Sequence, residues 1–372
     1  MIKLLTVIGA RPQIIKAAAI SRAIKEHFSG TIEERILHTG QHYDANMSQV
    51  FFDELGIPSP DYNLGVGSGS HGTQTARMIE GIETVLGSEH FDGIILYGDT
   101  NSTLAGAVAA AKLHIPVFHV EAGLRSYNMT MPEEQNRIVC DHLSSILFAP
   151  TQTAVDNLKT EGLESSKASF RNGKKRQIVN SGDVMYDNAL YFSKLAEERS
   201  TILESCGVQP GDYILATVHR DFNTDSPDRI SSIFKALSAI AEKNNIPVVL
   251  PLHPRTRKYL PDKLSERIII IPPASFFDIL TLEKNAKVVM TDSGGVQKEA
   301  FFFGKPCVIL RPETEWVEII EHHAGILADA DYDRIIKAYD VLSGRKVDFP
   351  PLFGDGNAAF SILSTICKYI AT

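Results

Sequence analysis

One tryptophan, Trp316, and four cysteines are all that 372 residues contain of either type. Cys140, Cys206, Cys307 and Cys367 stand far apart, with no CxxC pair and no zinc-like spacing. Neither a disulfide framework nor a structural zinc site is expected, and a reducing cytoplasm suits the chain. No stretch approaches the ~18 apolar residues of a membrane span, so no membrane association is expected. The opening run MIKLLTVIGARPQ is short and passes straight into Gly9-Ala-Arg-Pro12 without a small-residue cleavage site. It reads as a buried first strand rather than a signal peptide. Basic residues are not in excess: 37 Lys and Arg against 45 Asp and Glu leave a formal charge of −8. That balance argues against a general nucleic-acid binder, although a local cluster of cations can still meet an anionic small ligand. The first strand is not followed by GxGxxG, so a dinucleotide site is not supported. There is no short-period repeat.

What is present is an ordinary globular composition, 44% hydrophobic and 22% charged, arranged as short apolar runs alternating with amphipathic stretches. At ~100–200 residues per domain the length predicts two domains. Ile2–Ile8, Gly93–Tyr97, Val117–Val120 and Ile146–Phe148 read as strands, separated by helical patterns such as Ile14–His27 and Ser102–Leu113. The pattern restarts with Tyr213–Val218, Pro247–Pro251, Arg267–Ile271, Lys287–Thr291 and Cys307–Leu310, with helices Asp228–Lys243 and Gly294–Phe303 between. Such alternation predicts an α/β protein with parallel sheets covered on both faces. A hinge is expected from about Gln177 through the helix after Ser181-Gly182-Asp183. The basic stretch Phe170–Gln177, with turn chemistry at Asn172-Gly173, reads as a solvated hairpin or loop. Asn357–Ile370 reads as a last amphipathic helix after a turn at Phe353-Gly-Asp-Gly356.

Ligands of open α/β sheets bind at the carboxyl ends of the strands, so polar residues there are candidates for chemistry. Arg11 and Lys16 flank a helix start with Pro12 in its first turn, a place suited to phosphate; ordinary surface charges are the alternative. Asp99 ends one strand and Glu121 another, and Glu133 opens a helix at Met131-Pro-Glu133-Glu134. A helix cap explains Asp99 and a favourable helix dipole explains Glu133, each taken singly. Neither explains why three carboxylates follow one another at such ends. In the second half, His219 and Arg220 end a strand, as does His253-Pro254. Thr291-Asp-Ser293-Gly294-Gly295 ends another strand and opens a helix whose N–H groups can approach a pyrophosphate. Glu299, further along that helix, is placed to accept hydrogen bonds from ribose hydroxyls.

In order along the chain, GARPQIIK, HTGQHYD, YGDTNSTLAGAVAA, HVEAGLRS, MPEEQNR, VHR, LPLHPRT, TDSGGVQKEA, GKPCVILR and FGDG resemble the non-hydrolysing UDP-N-acetylglucosamine 2-epimerase family nearly end to end. The resemblance implies a glycosyltransferase-B architecture: two Rossmann-like domains with a cleft between them. Residues 1–180 would carry the carboxylates, 181–356 would bind UDP, and 357–372 would cross back to the first domain. It implies an isomerase that interconverts the gluco and manno configurations at C2 of a UDP-sugar, with no cofactor and no metal, as a homodimer. Carried over by motif, Asp99, Glu121, Glu133 and His219 would be catalytic. Arg11, Lys16, Ser293, Gly294, Gly295 and Glu299 would contact UDP, with Arg220 a further candidate.

Three residues depart from the usual pattern. Gln13 stands where Glu is common, and Asp183 where Asn is. Trp316 replaces an arginine that reaches the nucleotide phosphate. These departures are similar to the branch acting on UDP-2,3-diacetamido-2,3-dideoxy-uronic acids, so both sugars stay open. A glycosyltransferase of the same architecture, a hydrolysing relative and a nucleotide-sugar sensor share parts of the pattern.

Overall fold

The computed structural model describes residues 1–40, 56–165, 167–170, 173–252, 257, 259–261 and 263–372. Gln41–Asp44 of the HTGQHYD motif, Asn172 of the expected turn and the His253-Pro254 strand end lie outside the described residues. The chain divides into two compact units, Met1–Asn188 with Leu352–Thr372, and Ala189–Pro351.

The first unit is built on seven parallel strands: β1 (Ile2–Ile8), β2 (Ile32–His38), β3 (Tyr62–Asn63), β4 (Gly93–Tyr97), β5 (Val117–Val120), β6 (Ile146–Ala149) and β7 (Gln177–Asn180). Their order across the sheet is β3-β2-β1-β4-β5-β6-β7. The interior strands are near-continuous apolar runs because helices cover both faces. In IKLLTVI of β1 the last five residues are buried, and β4 is buried throughout. Helix Asn101–Lys112 uses small residues to approach the sheet closely. A Cβ on its Gly106 would stand 2.5 Å from Leu96 Cδ2 of β4.

The second unit repeats the plan with β8 (Ile214–Thr217), β9 (Val248–Pro251), β10 (Ile268–Ile271), β11 (Val288–Thr291), β12 (Cys307–Ile309) and β13 (Gly325–Leu327), ordered β10-β9-β8-β11-β12-β13. Helix Pro227–Asn244 buries Ile230, Ile233, Phe234, Leu237 and Ile240, the three-to-four spacing of one helical face. In both sheets the strand order reverses beside the first strand, between β1 and β4 and between β8 and β11. Those are the topological switch points at which doubly wound sheets hold ligands.

The structure departs from expectation in the first part of the stretch read as a hinge. Gln177–Asn180 is not a linker but β7, paired in parallel with β6. Its four residues sit at the sheet edge with both ends exposed, so they lack the apolar run that marks a buried strand. The division between units falls inside helix Val184–Arg199. The basic stretch before β7 is taken up locally. Lys174 hydrogen-bonds the Tyr369 carbonyl and lies 4.5 Å from the Tyr369 ring centroid, and Arg176 donates to the carbonyls of Ser144 and His142.

Helix Ala358–Ala371 packs within the first unit, and its N-terminus rests on Asp187. That buried carboxylate accepts from Ala358 N–H at 3.1 Å and Ala359 N–H at 2.8 Å. Burial nevertheless outweighs the two donors and pushes the carboxyl up to about 6. The folded state therefore holds this proton more tightly than the unfolded chain does. Stability from this group is complete below the ordinary aspartate range and is lost as pH rises through about 6. The difference in unfolding free energy between wild type and Asp187→Asn should shift by on the order of 3 kcal/mol between pH 3.5 and 7. Urea midpoints measured in parallel at those two pH values check this; a constant difference would contradict it.

Candidate active site

The first switch point is assembled from backbone that only particular residues permit. A Cβ on Gly9 would stand 2.2 Å from both Ser102 Oγ and Thr39 Oγ1, so only glycine lets β1 run into its helix here. Gln13, fully enclosed in the first turn of helix Arg11–Ala23, uses both ends of its amide. Its oxygen accepts from Gly9 N–H at 2.9 Å and Ala10 N–H at 3.2 Å, and its nitrogen donates to the Tyr97 carbonyl at 3.0 Å and Thr103 Oγ1 at 3.1 Å. It ties the end of β1 to the end of β4. Arg11 is exposed at the helix start.

Lys16, one turn further on, reaches the Glu121 carboxylate in a mostly buried ion pair, with side-chain exposures of 12% and 9%. Glu121 follows β5 with φ +71°, in the left-handed region that a non-glycine residue seldom occupies. Such conformations persist where the surroundings over-determine them. The Lys16–Glu121 pair lies over Gly98: a Cβ there would stand 3.1 Å from Lys16 Nζ and 3.2 Å from Glu121 Oε2. The next residue is Asp99, whose partly exposed carboxylate pairs with Arg137. Lys16, Glu121 and the Gly98-Asp99 turn are thus brought together at the first switch point.

Helix Pro132–Leu143 presents its two glutamates differently. Glu133 is exposed, while Glu134 is fully buried. Glu134 accepts from Ser126 N–H at 3.0 Å, Tyr127 N–H at 2.9 Å and Arg137 Nη1 at 2.5 Å. Burial alone would raise its carboxyl, but these donors outweigh burial and hold it below the usual range. Arg137 therefore bridges Glu134 and Asp99, and Asn136 donates to the Asp99 carbonyl at 2.9 Å.

The second switch point centres on Asp292, which has no exposed surface. Its carboxylate accepts from the N–H groups of His219 and Arg220 at 3.1 Å each and from Asn223 Nδ2 at 3.1 Å. This turns the strand end so that the His219 imidazole is half-exposed, its Nδ1 3.3 Å from Asp292 Oδ1. Arg220 is exposed beside it. Ser293 caps helix Gly294–Phe302. A Cβ on Gly294 would stand 2.4 Å from Glu315 Oε1, and Glu315 pairs with Arg311 at 3.1 Å. Gly295 is exposed. Half-buried Glu299 faces the helix Phe276–Asn285, where burial first, and the charge of Glu299 second, push the enclosed Glu283 carboxyl well above its ordinary range. Lys298 and Trp316 are both buried, with the ammonium 4.1 Å from the indole ring centroid, a cation–π contact. Among the described residues no group of three or more His, Cys, Asp or Glu could hold a metal ion, and no helix is long and apolar enough to cross a membrane.

Residues 23–367 match the family described as UDP-N-acetylglucosamine 2-epimerase. The chain belongs to that family. It is an epimerase, and therefore an isomerase. A curated relative from Pseudomonas aeruginosa, UDP-2,3-diacetamido-2,3-dideoxy-D-glucuronate 2-epimerase, is 50% identical over 371 residues, covering 99% of each chain. The structure is also similar to the Methanocaldococcus jannaschii UDP-GlcNAc 2-epimerase solved with UDP-GlcNAc and UDP. That likeness has a TM-score of 0.83 at 40% identity, covering 99% of this chain and 100% of that one. The Neisseria meningitidis UDP-GlcNAc 2-epimerase bound to UDP-GlcNAc gives 0.84 at 30% identity, covering 99% and 100%. Two parallel sheets of Rossmann type in a glycosyltransferase-B architecture, the fold class expected from the sequence, are what this epimerase has.

Sequence reasoning assigned no role to Arg137, Glu134, Asp141 or Asp292. The motifs MPEEQNR and TDSGG contained three of them, but a buried partner is visible only once the chain is folded. Two of the departures from the family pattern now have local explanations. Gln13 is the strut just described. Asp183 accepts from Met185 N–H at 2.8 Å at the start of helix Val184–Arg199. For Gln13→Glu, a carboxylate oxygen would face the Tyr97 carbonyl, at an expected cost of ~1–3 kcal/mol. The raised carboxyl pKa means that the loss should shrink as pH falls and the new group gains a proton to donate. Urea midpoints of the variant should lie below wild type at pH 7.5 and converge on it towards pH 5; an equal offset at both would overturn this account of Gln13.

Proposed function

We propose that this enzyme interconverts the gluco and manno configurations at C2 of a UDP-linked 2-acetamido sugar by eliminating and re-adding UDP. The observation that carries the reading is the Lys16–Glu121 ion pair seated over the Gly98-Asp99 turn at the first switch point, in a chain of the epimerase family. The C2 hydrogen has no neighbouring carbonyl to acidify it. When the C1–O bond breaks, the electron pair leaves with UDP and the electron-poor C1 makes that hydrogen removable. A carboxylate takes the proton and a C1–C2 double bond forms, giving a 2-acetamidoglucal. UDP then returns to C1 while a proton reaches C2 from the opposite face. Asp99, Glu121 and Glu133 are the candidates for the two proton transfers. Arg11, Lys16, His219, Arg220 and the Ser293-Gly294-Gly295 helix start would hold the diphosphate, and Glu299 the ribose. In this reading the enzyme is a cytoplasmic homodimer that needs neither cofactor nor metal.

UDP-N-acetylglucosamine is the first candidate substrate. UDP-2,3-diacetamido-2,3-dideoxy-glucuronate is the second, favoured by the 50% identity to the Pseudomonas aeruginosa relative and by Trp316. The indole stands at the place of the arginine of the common pattern and lies against the ammonium of Lys298, a residue of the candidate phosphate helix.

Turnover in heavy water should place one deuterium at C2 of the product; none after many turnovers would sink the elimination route. Asp99→Asn and Glu121→Gln should each lower kcat by about 10²–10⁴-fold while the fold is retained. Normal turnover in both would remove the carboxylates from the site. Comparing kcat/KM for the two sugars in wild type and Trp316→Arg settles the substrate. A wild-type preference for the diacetamido-uronate of tenfold, about 1.4 kcal/mol, that narrows in Trp316→Arg supports the second candidate, and the reverse preference excludes it.

A further inference from the structure

His119 lies on β5 with no exposed surface, and each of its ring nitrogens faces an oxygen. Nε2 is 2.7 Å from the carbonyl oxygen of Gly98 and Nδ1 is 2.7 Å from Asp141 Oδ1. A carbonyl can only accept, so Nε2 carries a hydrogen. Asp141 is also enclosed, and its other oxygen accepts from Gly123 N–H at 3.2 Å and faces Arg125 Nη1 at 2.8 Å. The Arg125 guanidinium and the Gly123 N–H on its other oxygen keep Asp141 ionised, so Nδ1 carries a hydrogen as well. The ring is a buried imidazolium. Burial works against that charge, but Cys140 and Asp141 beside it outweigh the penalty and hold the imidazole well above its usual range. Arg125 completes the array through Glu161, at 2.6 and 2.7 Å, with Arg176 further out near Asp141.

Burying such an array is a poor way to gain stability, since apolar residues of the same volume often do as well. Its contacts point to another role. It grips the Gly98 carbonyl, immediately before Asp99, and the Gly123 N–H, two residues after Glu121. Glu121 and Gly123 both have left-handed backbone, at φ +71° and +82°, so this segment needs outside restraint to hold its shape. We propose that His119 and Asp141 are positioning residues for epimerisation: the buried imidazolium–carboxylate pair clamps the Gly98 carbonyl and the 121–125 loop, and so sets where the Asp99 and Glu121 carboxylates stand. The inference rests on the assignment of those two carboxylates to the reaction. Displacing a reacting group by about an ångström is enough to lose about 10²-fold in rate.

The test uses the full-length enzyme with ¹⁵N-labelled histidine. In wild type one histidine, identified by its loss in His119→Gln, should show both ring nitrogens protonated up to at least pH 8. In Asp141→Asn that signal should shift to a singly protonated ring. Both variants should lose about 10–10²-fold in kcat with KM and UDP affinity changed by no more than about threefold, and Asp141→Glu should recover part of the loss. A neutral His119 in wild type at pH 8 overturns the proposal whether or not the variants fold, as does wild-type kcat in folded His119→Gln and Asp141→Asn. If Asp99→Asn and Glu121→Gln are themselves fully active, the failure belongs to the site assignment. If those two are inactive and the His119 and Asp141 variants are not, it belongs to the clamp.

Discussion

A carboxyl group with no exposed surface stays ionised only when donors surround it, and Asp141 and Asp292 meet that requirement with N–H groups from the loops that carry the candidate residues. Asp141 takes Gly123 N–H, His119 and Arg125. Asp292 takes the N–H groups of His219 and Arg220 with Asn223. Leaving either set unpaired in the interior would cost several kcal/mol, so the loops have little freedom to move away. Each unit thus fixes the end of a central strand from beneath, and the side chains above are placed as a consequence.

The same logic extends outward from the first switch point. Gln13 joins the ends of β1 and β4, Arg137 joins Asp99 to Glu134, and Asn136 holds the Asp99 carbonyl. The first is a strut between neighbouring strand ends, and the other two tie the end of β4 to helix Pro132–Leu143. In the proposed reaction they would hold in place the loop carboxylates assigned to the two proton transfers. Loops are ordinarily the most mobile part of an α/β protein, whereas these are tethered at several backbone points. Glu121 shows the cost of the arrangement, since its left-handed backbone is unfavourable for a side chain bearing a Cβ.

Gly9, Gly98 and Gly294 make the complementary contribution. At each, a single added carbon would meet a polar group that belongs to the candidate site or to its frame. Polar side chains can converge on these strand ends because the backbone there occupies so little space.

The alternation of apolar runs and helical patterns was enough to establish the fold class, the strands at the centre of each sheet and the order of the motifs. Central strands of a parallel sheet are buried on both faces and carry that burial in their composition. β7 was not legible, because a four-residue edge strand with polar ends has no such composition. Residue types at strand ends pointed to Asp99, Glu121, His219 and the Ser293-Gly294-Gly295 turn. They could not separate Glu133 from Glu134, which are adjacent in the chain but lie on exposed and buried faces of one helix. Nor could they single out Asp141 or Asp292, whose partners lie 16 to 22 residues away for the one and about 70 for the other. Burial and long-range hydrogen bonding depend on which segments pack together, so only the tertiary structure decided which charges are buried anchors and which stand at the surface of the strand ends.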